Sequence, residues 1–175
     1  IFNSTGGFIT KWGTSGTGNG QFDSPYGIAI NSSGNIYVAD NQNHRIQVFS
    51  STGGYITKFG SYGNGQGQFY YPAGIAIDLS DNLYVADNQN HRIQVFNSTN
   101  GFIRSWGSSG SNNGQFNYPN GIVVSSTDLV YVADTNNNRI QVFTSTGGFV
   151  TKWGSSGIGD SQFDGPFGIT LDLSG

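Results

Sequence analysis

The sequence contains no cysteine, and all ten of its acidic residues are aspartate. Without cysteine there is neither a disulfide framework nor thiolate chemistry, and the redox compartment stays open. Charge is scarce, at 10% of residues, with a net charge of −3. The seven lysines and arginines are scattered along the chain. No cationic strip is therefore available to meet a phosphate backbone, and nucleic acid is not expected as a partner. No apolar run reaches the length a membrane-spanning helix needs. No secretory leader pattern is visible either, although a mature fragment would carry none. Little charge does not here mean disorder, because the apolar residues are gathered into periodic runs rather than diluted.

What the chain has in abundance is glycine, 28 of 175 residues, about twice the usual share, and repetition. Asn35-Ile36-Tyr37-Val38-Ala39-Asp40, followed by Asn43-His44-Arg45-Ile46-Gln47-Val48-Phe49, returns around Asp87 and again around Asp134, 47 residues apart each time. Trp12, Phe59, Trp106 and Trp153 keep the same interval, as do Pro25, Pro72, Pro119 and Pro166. A fixed period in this range dictates architecture before any local reading.

Each unit reads as four short strands, in the first case Gly27–Ile30, Ile36–Ala39, Arg45–Phe49 and Tyr55–Phe59. Glycine-, asparagine- and serine-rich turns separate them, and β-branched and aromatic residues fill them. The first two strands are apolar on both faces and should be covered on both. The fourth alternates, as in Phe8, Thr10 and Trp12 against Ile9 and Lys11, and should be half-exposed. These features predict an all-β chain, a β-propeller of four-stranded antiparallel blades stacked face to face. The linker from Gly60 to Tyr71 reads as a crossover between blades, anchored by Phe69, with Pro72 leading into a tight entry at Gly74. Three whole blades are expected, over 27–60, 74–107 and 121–154, with partial blades at 1–13 and 168–175. Both cuts fall inside a blade, so the expectation is a segment of a larger propeller or repeat array.

The pattern Tyr37-Val38-Ala39-Asp40 to Asn43-His44-Arg45-Ile46-Gln47-Val48-Phe49, preceded by Pro25-x-Gly27-Ile28-Ala29-Ile30, resembles the NHL repeat, in phase along the whole chain. The resemblance implies a propeller, commonly six-bladed, acting as a binding platform. In that family some members bind RNA, some are sensor ectodomains, and one branch is a metal-dependent lyase. The third unit departs from the pattern: Asn138 stands where His44 and His91 stand in the others.

Several residue groups qualify as sites. Asp40, Asp87 and Asp134 end the second strands; Arg45, Arg92 and Arg139 open the third. Positions flanking a hairpin loop sit side by side, so each pair is expected to staple its loop. The rival reading, a ring of carboxylates holding a cation, is weaker because a catalytic group has no reason to recur in every unit. Asp134-x-Asn136-x-Asn138 begins like a calcium loop, but Arg139 replaces the glycine and no glutamate closes the coordination. His44 and His91 lack a third histidine or cysteine for a tetrahedral site. No metal, cofactor or catalytic residue is therefore expected. The aromatics at 12, 59, 106 and 153 are read as inter-blade packing rather than sugar platforms. Asn3, Asn31 and Asn97 open Asn-x-Ser/Thr acceptor patterns in turns, which points to glycosylation and a secreted or cell-surface location.

The functional expectation is a non-catalytic, extracellular propeller scaffold, binding protein or glycan partners through its blade loops. The alternative is a structural subunit of an extracellular filament, joined to further copies of itself through open strand edges. An enzyme of the lyase type ranks last.

Overall fold

The computed structural model describes residues 1–172. A parallel pair of two-residue strands, β1 (Thr14–Ser15) and β2 (Gln21–Phe22), opens the chain. Three antiparallel four-stranded sheets follow. The first comprises β3 (Pro25–Ile30), β4 (Ile36–Asp40), β5 (Arg45–Phe49) and β6 (Tyr55–Phe59). The second comprises β7 (Pro72–Ile77), β8 (Leu83–Asp87), β9 (Arg92–Phe96) and β10 (Phe102–Trp106). The third comprises β11 (Pro119–Val124), β12 (Leu129–Asp134), β13 (Arg139–Thr144) and β14 (Phe149–Trp153). Within each sheet the strands pair in chain order, so each sheet is a meander of hairpins. This is a β-propeller of separate blades, and no strand of one blade hydrogen-bonds into the sheet of another.

Side chains alternate between the two faces of a strand, and here both faces of the central strands are used. In the first blade Tyr37, Ala39, Ile46 and Val48 meet Ile75, Leu83, Val85 and Phe96 of the second. Tyr84, Ala86, Ile93 and Val95 of the second meet Ile122, Val130, Val132 and Phe143 of the third. The hydrophobic core thus lies between blades, not within one. A lone blade would leave both faces in water, which is why the unit must be repeated to be stable.

The innermost strands β3, β7 and β11 approach one another backbone to backbone. A Cβ placed on Gly27 would lie 2.5 Å from the Ala73 carbonyl oxygen, and one on Gly121 2.4 Å from that of Phe167. At Gly74 the nearest backbone atom, the Asn120 carbonyl oxygen, would be 2.2 Å away. These glycines are therefore needed for close approach, not for the tight turn expected at Gly74. The positive φ angles fall three positions before these glycines, on Ser24, Tyr71 and Tyr118 at 53, 56 and 55°, each residue just ahead of a proline. Proline disfavours the right-handed helical region for the residue ahead of it.

Three further expectations change. The first strands begin at the prolines, two residues earlier than Gly27, Gly74 and Gly121. Covering of both faces holds for β7, whereas Ile28 and Ile30 of β3 are 62% and 63% exposed. The reason is positional: β7 has an inner strand on either side, and β3 has only β7. At the N-terminal side, the strands expected within 1–13 reduce to one bridge, Phe2 with Phe8. A two-stranded ribbon without inner strands beside it is marginal. At the other end 168–172 form no strand, and 173–175 lie outside the described residues.

Candidate functional site

The loops joining second to third strands, together with the connectors between blades, make up one continuous face. The repeated polar residues converge on it. Asp87 is fully buried. Its Oδ2 accepts from Arg92 Nε at 2.8 Å, Asn90 Nδ2 at 2.9 Å and Gln94 Nε2 at 3.0 Å, and its Oδ1 from the Tyr70 N–H at 2.8 Å. Arg92 continues outward, donating to the carbonyls of Asn64, Gly65 and Gln68. Gln94 donates to the Gln68 carbonyl at 2.6 Å and accepts from the Gly67 N–H.

The first and third blades repeat the knot atom for atom. Arg45 Nε lies 2.6 Å from Asp40 and Arg139 Nε 2.7 Å from Asp134. Gln47 and Gln141 join those carboxylates at 2.9 and 3.0 Å. What the knot grips is the connector arriving from the preceding unit. Buried charge is tolerable only when paired and fully hydrogen-bonded, and here each carboxylate accepts at least four bonds. The aspartates are thereby committed to their own loops. A buried glutamine in the middle of a third strand, Gln47, Gln94 or Gln141, was not anticipated from the sequence. Its signal was there, a polar residue recurring between isoleucine and valine.

The connectors are built structures. Phe69 and Phe116 are fully buried, with ring centroids 5.6 Å from Phe96 and 5.4 Å from Phe143. Trp12, Phe59 and Trp106 each pack on the next blade's aromatic, Phe49, Phe96 or Phe143. Trp153 remains 43% exposed.

The position shared by His44, His91 and Asn138 has one structural task. His44 Nδ1 accepts from the Tyr71 N–H at 3.2 Å, and His91 Nδ1 from the Tyr118 N–H at 3.1 Å. Asn138 Oδ1 does the same for the Gly165 N–H at 2.8 Å. All three sit in the left-handed region at φ 53°, a conformation in which asparagine and histidine are enriched. An acceptor that reaches the next blade is the requirement, and either residue meets it. Burial pulls both histidines below their ordinary pKa, partly offset by Asp87 for His44 and by Asp134 for His91. Of the ends of the calcium-like run, Asn138 is spent in this contact and Asp134 in its knot.

Of the acceptor asparagines, Asn3 and Asn97 lie on exposed turns and Asn31 is half-buried. Thr5 Oγ1 donates to Asn3 Oδ1, and Thr99 Oγ1 to Asn97 Oδ1, each at 2.8 Å. Asn31 Oδ1 instead accepts from the backbone of Ser33 and Asn35.

Of the depressions on this face, two lie beside the junction of the first and second blades. One, about 280 Å³, is lined near the axis by Tyr26, Asn41, Gln42, Tyr71, Asn88, Gln89 and Asn120. The other, about 290 Å³, lies among Tyr62, Gly63, Asn64, Tyr70 and Asn90. Neither holds a charged side chain. Among the described residues no group of three or more histidines, aspartates or glutamates is placed to share a metal ion. No helix there is long and apolar enough to cross a membrane.

The blade pattern and its knot are those of a known repeat: the NHL repeat profile matches residues 22–49, 69–96 and 116–143. This is an NHL-repeat chain. Each match runs from the connector phenylalanine into the third strand, and so takes in the aspartate, arginine and glutamine of each knot. A stretch of 38 residues is 55% identical to the B-box type zinc finger protein ncl-1 of Caenorhabditis elegans. Another comparison over 38 residues gives 50% identity with Protein brain tumor of Drosophila melanogaster. Each alignment takes in 22% of this NHL-repeat chain and only 4% of the relative. In three dimensions the chain is similar to Kuenenia stuttgartiensis hydrazine synthase (TM-score 0.68, 17% identity, 97% of this chain and 44% of that one). It is also similar to virginiamycin B lyase from Staphylococcus aureus (0.61, 19%, 86% and 46%). A third similar structure is that of a nidogen/laminin complex (0.65, 23%, 86% and 53%). At these identities the likeness concerns the fold.

Proposed function

We propose that this chain is a non-catalytic NHL-repeat scaffold, extracellular or at the cell surface, that binds a protein or glycan partner through its loop face. The observation that carries this reading is a division of labour among polar side chains. The aspartates, arginines and strand glutamines of the knot, and the residues at 44, 91 and 138, stand in all three blades and are consumed inside the molecule. At the axial depression Gln42 and Gln89, replaced by Asn136 in the third blade, make no side-chain hydrogen bond among the described residues and point to a ligand. A platform of this kind binds by complementarity rather than by chemistry, and the nidogen/laminin complex offers a precedent for a protein partner on the same fold.

The lyase alternative finds no support in the histidines, whose Nδ1 atoms already accept bonds from separate blades. Secretion is supported by the acceptor patterns that Asn3 and Asn97 place on exposed turns. Intact mass after secreted expression in a glycosylating host should show hexose-bearing adducts, and an unmodified mass would remove that argument. The platform is tested by presenting the chain to immobilised ectodomains and glycans, then repeating with the Gln42→Lys/Gln89→Lys pair. Retention that the double substitution abolishes is expected; retention that ignores it, or none, contradicts the reading.

A second reading, assembly with further copies, is favoured by one observation, the exposed Ile28 and Ile30 on β3. Sedimentation velocity over a concentration series should then show association, and a single non-associating species would remove it.

A further inference from the structure

In a chain of near-identical units, whatever the fold needs recurs, and whatever does not recur is free to serve a ligand. The largest departure from the repeat is at the junction of the first and second blades. Tyr62 stands where the other units have Ser15, Ser109 and Ser156, and Tyr70 where they have Asp23, Asn117 and Asp164. The fold asks little of position 62. Its backbone bridges to Phe69, as Ser109 bridges to Phe116 and Ser156 to Phe163.

These extra rings form one rigid group. Tyr70 stacks on Tyr71 at 4.9 Å with 28° between planes, and Tyr62 meets Tyr70 edge-on at 5.1 Å. His44 lies 4.7 to 5.8 Å from all three rings, and is itself held by the Tyr71 N–H. Tyr62 is nevertheless 63% exposed. A large aromatic, fixed in place by neighbours yet open to water, binds with little loss of side-chain entropy.

The surroundings select the ligand. The stacked Tyr70 and Tyr71 stand between the two depressions: Tyr62, Tyr70 and the Asn64 amide line one, and Tyr71 lines the other with Gln42 and Gln89. A side-chain amide offers a donor and an acceptor together, the pairing that two neighbouring hydroxyls require. With no cation lining either depression, an anionic polymer has nothing to neutralise it.

We propose that Tyr62 and Tyr70, with Asn64, form a subsite for a neutral oligosaccharide, its ring faces on the tyrosines and its hydroxyls on the amide. This deepens the platform reading and rests on it.

The other units supply safe substitutions. Tyr62→Ser and Tyr70→Asn install residues that the same fold already carries at those positions, so both variants should melt within a few degrees of the parent. The parent is titrated, followed by NMR of the tyrosine rings, with hexamers of α-1,4-glucose, β-1,4-glucose and β-1,4-N-acetylglucosamine. A ten-residue polyproline peptide serves as the competing probe. At least one hexamer should shift the Tyr62 and Tyr70 signals, and each substitution should weaken it about tenfold. A hexamer that binds equally well to both variants places the subsite elsewhere and leaves the platform standing. Binding of polyproline alone overturns the ligand class, and no binding of any probe overturns the proposal. Failure of the platform itself is read separately, from the Gln42→Lys/Gln89→Lys pair.

Discussion

At the scale of single residues, the molecule is governed by a few buried polar atoms whose removal strands their partners. Replacing Asp134 by alanine leaves the Arg139 guanidinium, itself only 5% exposed, without its counter-charge. Breaking a buried pair from one side costs about 3–5 kcal/mol, and thermal melting should report a loss of that order. Gln94→Leu keeps the volume but leaves the Gly67 N–H unsatisfied and takes from the Gln68 carbonyl one of its two donors, a penalty of about 1–3 kcal/mol. Both losses should appear in denaturant titration as a lower midpoint with the slope unchanged.

The histidines give the residue scale a pH dependence. Their folded pKa lies below the ordinary value, because burial disfavours the charged form. The folded protein thus binds fewer protons there than the unfolded chain. Their contribution is complete above about pH 6.5 and falls away as pH drops through the depressed folded values. The pair His44→Asn/His91→Asn should flatten this part of the stability profile. Asn138 already makes the equivalent contact without a titrating group, so melting at pH 7.5 should change little. A profile between pH 5 and 7 identical to the parent's would contradict the account.

At the scale of elements, the decisive feature is how close the inner strands come. Gly74→Ala places a methyl group against the Asn120 carbonyl, a contact no rotamer can relieve because the obstacle is backbone. A substantially lowered melting temperature is expected. The same change at Gly168, where nothing lies within 4 Å of the added carbon, should be tolerated. Equal effects at the two sites would show that close approach is not the reason for glycine.

The strands themselves were readable, because alternation and β-branched runs are local properties of the chain. The Asp–Arg pairs were also readable, since five residues across a hairpin loop is a short-range relation. What escaped was everything that depends on the neighbouring blade. The glutamine's partners are 26 or 27 residues away in a connector, and Gly74 is explained only by Asn120. The tyrosine group needs Tyr62, Tyr70 and Tyr71 folded back onto His44. The task of His44 itself was invisible for the same reason: its acceptor role lies across a blade junction.

At the scale of the whole molecule, the fold is a chain of mutual supports. Apolar surface is buried between blades, and each connector is fastened by the blade it enters. Stability should therefore propagate. Phe116→Ala removes a fully buried ring from the connector into the third blade and should cost about 3–5 kcal/mol, felt in both blades it touches. Binding, by our proposal, belongs where the repeat is broken, at the exposed Tyr62.

The central claim is that the connectors are structural members held by the Asp–Arg–Gln knots, not loops hanging between blades. Amide hydrogen exchange tests it most directly. The N–H groups of Gly67, Phe69 and Tyr70 should exchange nearly as slowly as the central strands β8 and β9, with equivalent protection 47 residues on at Gly114, Phe116 and Asn117. Asp87→Asn should release the first set while sparing the second. Exchange of these amides at open-loop rates in the parent protein would contradict the account.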